Sequence, residues 1–266
     1  VQLAIADLAS LVAPVGGTFL LGLVVPCVAF VILRHAGRFD RSNAAAIAAH
    51  YGSVSVATYA VGIAYLAGRQ VFVDAQLPLF LVLLEVPAIV VGIILARKND
   101  SNLAWGKVAH EAFLGKSIVL LVGGLLIGWI SGPVGLAPLE PLFFDLFKGV
   151  LALFLLEMGL IAAAQARTVL KNGLFLIGFG ILAPLPLATV GALLGAAIGL
   201  SVGGTTMLAV LAGSASYIAA PAAMRIAVPE ANPSLSLTAS LGVTFPFNIF
   251  IGIPIYFAIA NALHVN

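Results

Sequence analysis

Eight long apolar stretches divide this chain: 9–33, 43–67, 77–96, 112–130, 142–165, 174–199, 204–227 and 235–263. A helix needs about 20 mostly apolar residues to cross a bilayer. Barrel strands would be about half as long and would alternate in polarity, which these stretches do not. The pattern therefore predicts an all-α polytopic membrane protein. Composition agrees, because 62% of residues are hydrophobic and only 8% are charged. Soluble domains carry about 25% charged residues. Lipid is then the solvent, and each span satisfies its own backbone hydrogen bonds.

Several function classes drop out at once. A net charge of +2 gives no reason to expect a nucleic-acid partner. Cys27 is the single cysteine, which excludes an intramolecular disulfide and a cysteine-type metal site. No Walker motif, metal-spaced His/Cys set or nucleophile elbow is present. The chain therefore reads as neither an enzyme nor an ATP-driven pump, with no cofactor.

Basic residues give the orientation. Arg34, Arg38 and Arg41 follow the first span, and Arg97, Lys98 and Lys107 the third. Arg167 and Lys171 follow the fifth, and Arg225 ends the seventh. The intervening loops hold only Arg69. By the positive-inside rule, the loops after spans one, three, five and seven face the cytoplasm and the C-terminus lies outside. A bacterial inner membrane is the expected location.

An internal repeat sharpens the reading. Leu11-Val12-Ala13-Pro14 matches Ile181-Leu182-Ala183-Pro184. Gly52-Ser53-Val54-Ser55 matches Gly213-Ser214-Ala215-Ser216, and Val86-Pro87 matches Phe245-Pro246. The offsets are all about 160–170 residues, and the order is kept. The span with Ser53 runs outward and the span with Ser214 runs inward, so the two copies are inverted, as in many secondary transporters. The first copy is assigned to 1–110 and the second to 111–266. The second has two spans, 112–130 and 142–165, ahead of its Ala-Pro span, and the first has none. Val1 to Leu8 then correspond to the tail of a second helix, and two helices are expected upstream in a five-plus-five plan. In space, 9–96 and 174–263 form a core or transport domain, and 112–165 a scaffold or gate domain.

Polar residues inside the spans mark the candidate site. Gly52 to Ser55 lie near mid-membrane, as do Gly213 to Ser216 from the opposite side. Glu85 and Asn248 lie at similar depth in their own spans. A break at Gly-Ser-x-Ser would expose N–H groups that attract an anion. Freed carbonyls and hydroxyls would suit a hard cation. Pro87, Pro221, Pro246 and Pro254 are candidate break points. An intramembrane carboxylate such as Glu85 is functional by default. Serines and glycines can equally serve helix packing. His50 reads as a satisfied structural histidine with a proton-relay role as the alternative, Glu157 as packing or interfacial, and Arg225 with Glu230 as interfacial charge.

The stretch AGSASYIAAPAAMRIAVPEANPSLSLTASLGVTFPFNIFIGIPIYFA (212–258), with HYGSVSVATYAVG (50–62), LLEVPAIVVGIILA (83–96) and LALFLLEMG (151–159), resembles the sodium-dependent bicarbonate permease family known from cyanobacteria. The likeness runs along essentially the whole chain. It implies sodium/bicarbonate symport by an elevator-like motion of a mobile core against a scaffold, ten helices and a homotrimer. It places substrate and sodium around Ser53, Ser55 and Thr58 and around Ser214, Ser216 and Thr244. The chain departs from the pattern at Tyr217, where cyanobacterial members carry an acid, and at Glu85, where they carry Asp. It resembles a broader bacterial branch. A PII-like regulatory partner would use the linker between the halves, which here is only Arg97 to Glu111. Together these features predict sodium-coupled uptake of bicarbonate or a similar small anion. Ser53, Ser55, Ser214 and Ser216 would hold the anion, with Thr58, Glu85, Tyr217, Thr244 and Asn248 near the cation. The alternatives are a proton- or sodium-coupled carrier for another small carboxylate, and a passive anion channel.

Overall fold

The computed structural model describes residues 8–97, 106, 109–110, 114–164, 166–171 and 173–265. The expectations for residues 1–7, for Lys98 and Lys107 and for most of the Arg97–Glu111 linker lie outside the described residues. The described elements are helical throughout. Six apolar helical runs are long enough to cross a membrane, and Ile118–Gly132 and Val202–Ala212 add two shorter ones. The eight expected spans thus each have a helical counterpart. The protein is an all-α, multi-pass membrane protein.

The first group comprises α1 (Leu8–His35), α2 (Arg41–Gly52), α3 (Val56–Ala67) and α4 (Leu77–Ala96). Asp40 starts α2 as its N-cap, its carboxylate accepting from Asn43 N at 3.0 Å. That satisfies one of the donors a helix start leaves open. Helix α2 is rich in alanine, and Ala44 to Gly52 are all buried. Small side chains let α1 and α4 close on it. A methyl added at Gly52 would lie 2.6 Å from Pro26 and 2.8 Å from Ala88, and one at Gly92 would lie 2.5 Å from Ala49. Lipid offers no hydrophobic drive between helices, so this intimate packing is what holds the trio together.

The second group begins with α5 (Lys116–Leu136) and α6 (Phe147–Ala164). Gly132 interrupts α5 with φ +62°, a backbone state that glycine adopts freely. Both helices are largely exposed: α6 buries none of its residues. Their outward Leu, Ile, Val and Phe side chains suit acyl chains. The short α7 (Ala166–Lys171) leads to α8 (Leu174–Leu182) and α9 (Pro184–Ala197). Then come α10 (Val202–Ala212), α11 (Ala219–Ala227) and the long run α12 (Pro233–His264). Ser201 caps α10 through Gly204 N at 3.0 Å, and Asn232 caps α12 through Ser234 N at 3.0 Å.

Contacts follow the same plan in both groups. α1, α2 and α4 pack on one another, and α9, α10 and the end of α12 do likewise. Between the groups, α3 lies against α10, while α11 lies against α2 and α4. A methyl at Gly191 would come 2.7 Å from Ala212, and one at Gly213 would come 2.9 Å from Ala188, so α9 and α10 meet as closely as α2 and α4.

Proline does not break the chain where the sequence suggested. Pro87 sits inside a continuous α4, which α1 and α2 brace from both sides. Pro221 stands in the first turn of α11, where its missing N–H costs nothing. Along α12, the wider π turns Thr238–Thr244 and Asn248–Gly252 run into Pro246 and Pro254. A proline ring crowds the carbonyl four residues back, and a widened turn relieves that crowding.

Candidate functional site

The first break lies where α2 gives way to α3. Twelve residues rising 1.5 Å each put it ~18 Å along the helix, near the middle of a ~30 Å hydrocarbon layer. Ser53 N still closes α2, donating to Ala49 O at 3.1 Å, and then the backbone extends. Ser53 (φ −81°, ψ 166°) and Ser55 (φ −103°, ψ 109°) carry the chain across. Ser55 caps α3: its Oγ accepts from Thr58 N at 3.1 Å and from Thr58 Oγ1 at 2.9 Å. Serine suits this step because it is a poor mid-helix residue and a strong N-cap.

The second break repeats the design. Helix α10 ends at Ala212 after eleven residues, and α11 starts at Ala219. Ser216 Oγ accepts from Ala220 N at 3.2 Å, the counterpart of the Ser55–Thr58 cap.

The two breaks touch. Ser55 N donates to Ser214 Oγ at 3.0 Å, and Ser216 N donates to His50 O at 2.7 Å. Ser214 Oγ spends its own proton on Leu211 O at 2.9 Å. Ser53, Ser55, Ser214 and Ser216 are all buried, none more than 3% exposed. Two half-helix starts, α3 and α11, therefore sit beside crossed serine segments with water excluded.

Two further elements complete the surroundings. In α12, Asn248 Nδ2 donates to Gly213 O at 2.9 Å and Asn248 Oδ1 accepts from Tyr256 OH at 2.6 Å. Thr244 Oγ1 donates to Gly180 O at 2.7 Å. Its proton is then used, so Tyr51, 2.6 Å away, is the donor to Thr244. In α4, Ala88 faces Gly52 and Gly92 faces Ala49. Glu85 lies on α4 one turn before Ala88. Glu85 is 2% exposed.

Six buried side-chain atoms lack a hydrogen-bond partner among the described residues: Thr18 Oγ1, His50 Nε2, Ser53 Oγ, Glu85 Oε2, Thr205 Oγ1 and Tyr217 OH. Tyr217 OH lies beside Ser55. Buried polar groups are almost always paired. Ser53 Oγ, which lies within the first break, therefore marks a place for a ligand that binds oxygen, such as a hard cation, or that donates to it. Asn248 and Thr244, by contrast, already have protein partners and hold the ends of α10 and α2 in position. His50, expected to be satisfied, is only half so: Nδ1 bonds Ala46 O at 2.7 Å and Nε2 has no partner. Glu157 is exposed on α6, and Glu230 pairs with Arg97 at 2.9 Å.

The sequence matches the family profile described as the Na+-dependent bicarbonate transporter superfamily over residues 1–261. The chain belongs to that superfamily. No curated protein matches it. Of the residues named from sequence, hydrogen bonds join Ser55 to Thr58 and Ser214, and Gly213 to Asn248, at the two breaks. Sequence reasoning passed over Tyr51 and Tyr256. Tyr256 was findable, because Asn248, Gly252 and Tyr256 share one helix face at four-residue spacing. Tyr51 and Gly180 carry no such signal, since their contacts with Thr244 cross between distant elements.

Proposed function

We propose that this protein is a secondary active transporter that couples sodium entry to uptake of bicarbonate or a closely similar anion by alternating access. The observation that carries the reading is the direct Ser55–Ser214 hydrogen bond between two broken helices, beside Ser53 with its unpartnered hydroxyl. Ser53 Oγ, with the N–H groups starting α3 and α11, would bind the anion. Glu85, with the oxygens of Ser55, Thr58 and Tyr217, would hold sodium. A single carboxylate among hydroxyls matches the taste of a hard monovalent cation for oxygen ligands.

The paired packing of α1–α2–α4 and α9–α10–α12 supports an inverted repeat, with these helices as the moving core. Helices α5 and α6 would be the scaffold. The seam between α6 and α12 supports sliding: it is an open, apolar gap of about 600 Å³ lined by Leu155, Gly159, Ala163, Phe245 and Ile249. We place the loops rich in Lys and Arg in the cytoplasm and the scaffold at a homotrimer interface.

The deciding experiment is uptake of labelled bicarbonate into proteoliposomes with an inward sodium gradient, with potassium in place of sodium, and with no gradient. Uptake above equilibrium only with the sodium gradient is expected. Equal flux under all three conditions would make the protein a passive channel. Full competition by acetate or lactate would move the substrate to another carboxylate.

A further inference from the structure

The Pro229-Glu230-Ala231-Asn232-Pro233-Ser234 motif plays no part in the site above, yet its loop encloses a crevice. The crevice lies between α2, α11 and the start of α12, with a volume of about 30 Å³. A single water needs about 10–15 Å³ on this measure. The space therefore suits two waters or one small planar anion. His50, Arg225, Ala231 and Ser236 are among the residues that line it.

The chemistry of the walls is specific. His50 is 1% exposed, and its Nδ1 lies 2.7 Å from Ala46 O. A carbonyl only accepts, so Nδ1 carries the proton and Nε2 presents a lone pair. That lone pair has no donor. Arg225 is exposed at the mouth, and no ion pair or hydrogen bond to it is found among the described residues. Glu230, the carboxylate of the enclosing loop, does not compete for it. Arg97 holds Glu230 at 2.9 Å and Ser42 holds it at 3.0 Å, while Asn43 holds Asn232 N at 2.7 Å.

A buried acceptor and an exposed cation with no ion-pair partner among the described residues thus line one small crevice. Water would answer the acceptor and hydrate the cation without supplying a counter-charge. Nitrate or a simple carboxylate would answer the cation and leave the acceptor. A hydroxylated oxyanion such as bicarbonate carries an O–H and a delocalised negative charge in one molecule and answers both. We propose that this crevice is a second anion site, separate from the serine breaks, in which His50 Nε2 accepts the hydroxyl of bicarbonate and Arg225 binds its carboxylate edge. The site communicates with the first, because His50 O accepts the Ser216 N–H that positions the second break. In the orientation given above the crevice opens to the cytoplasm, where a transported anion accumulates. Occupancy there would slow further uptake.

The test is direct and does not need transport. The chain has four histidines, so imidazole nitrogens can be followed by 15N NMR in the intact protein in phosphatidylcholine nanodiscs, which supply no anionic headgroup. His50→Gln assigns the His50 signal. Titration with bicarbonate at fixed pH should move the Nε2 resonance to saturation, and nitrate or formate should not. Arg225→Gln, at an exposed position that folding tolerates, should weaken the bicarbonate response at least tenfold and keeps the test valid if His50→Gln fails to fold. Ser53→Ala should keep the response, which separates this site from the transport site. An unmoved His50 signal, an equal response to nitrate, or an Arg225→Gln titration like wild type would overturn the proposal.

Discussion

Ser53→Ala separates transport from folding. The Ser53 hydroxyl is wholly buried and has no hydrogen-bond partner among the described residues. Removing it strands no partner and relieves an unsatisfied buried group, so stability should hold or rise, by up to about 1–3 kcal/mol. A ligand that uses this oxygen loses one hydrogen bond to a charged group, worth about 1.5–3 kcal/mol. That is about a 10- to 150-fold loss in affinity. Ser214→Ala behaves differently. Ser214 Oγ is the acceptor for Ser55 N, and its loss leaves a buried N–H unpaired at a cost of about 1–3 kcal/mol. The contrast is read by pairing sodium-driven bicarbonate uptake with thermal unfolding in the same detergent. Ser53→Ala should lose uptake at low substrate with an unchanged or raised melting temperature, and Ser214→Ala should lower both uptake and melting temperature. Wild-type uptake by Ser53→Ala would refute the assignment of this oxygen to the ligand.

Three other perturbations test the surroundings. Glu85→Gln keeps the shape and removes the carboxylate; bicarbonate flux should lose its dependence on external sodium, measured as uptake against sodium concentration. Gly52→Val places a Cβ within 2.6 Å of Pro26 and 2.8 Å of Ala88; over-packing of this kind costs about 1–3 kcal/mol, visible as a lower melting temperature. Asn248→Ala strips Gly213 O and Tyr256 OH of their shared partner; it should destabilise by about 1–3 kcal/mol and lower uptake together, so a variant with normal stability and no uptake would instead make Asn248 a ligand contact.

Much of the architecture was legible before any coordinates. Runs of apolar residues with almost no charge can only be membrane helices, because lipid leaves a backbone no other partner. That reasoning is local, so it located all eight helical segments. It also marked Gly-Ser-x-Ser as a place where a helix could stop, since serine competes with the helix for its own backbone groups. Tertiary structure decided where breaks occur. Pro87 lies in an unbroken helix because α1 and α2 clamp it, whereas Ser53 and Ser214 interrupt theirs because each segment finds partners on the other. It also sorted the polar residues by what remained unpaired. Thr244 and Asn248 bond Gly180, Tyr51, Gly213 and Tyr256, while Ser53 Oγ and Glu85 Oε2 have no hydrogen-bond partner among the described residues. A sequence states which groups can form hydrogen bonds. Only the meeting of residues some 160 positions apart, such as Ser55 with Ser214, determines which of them are already taken.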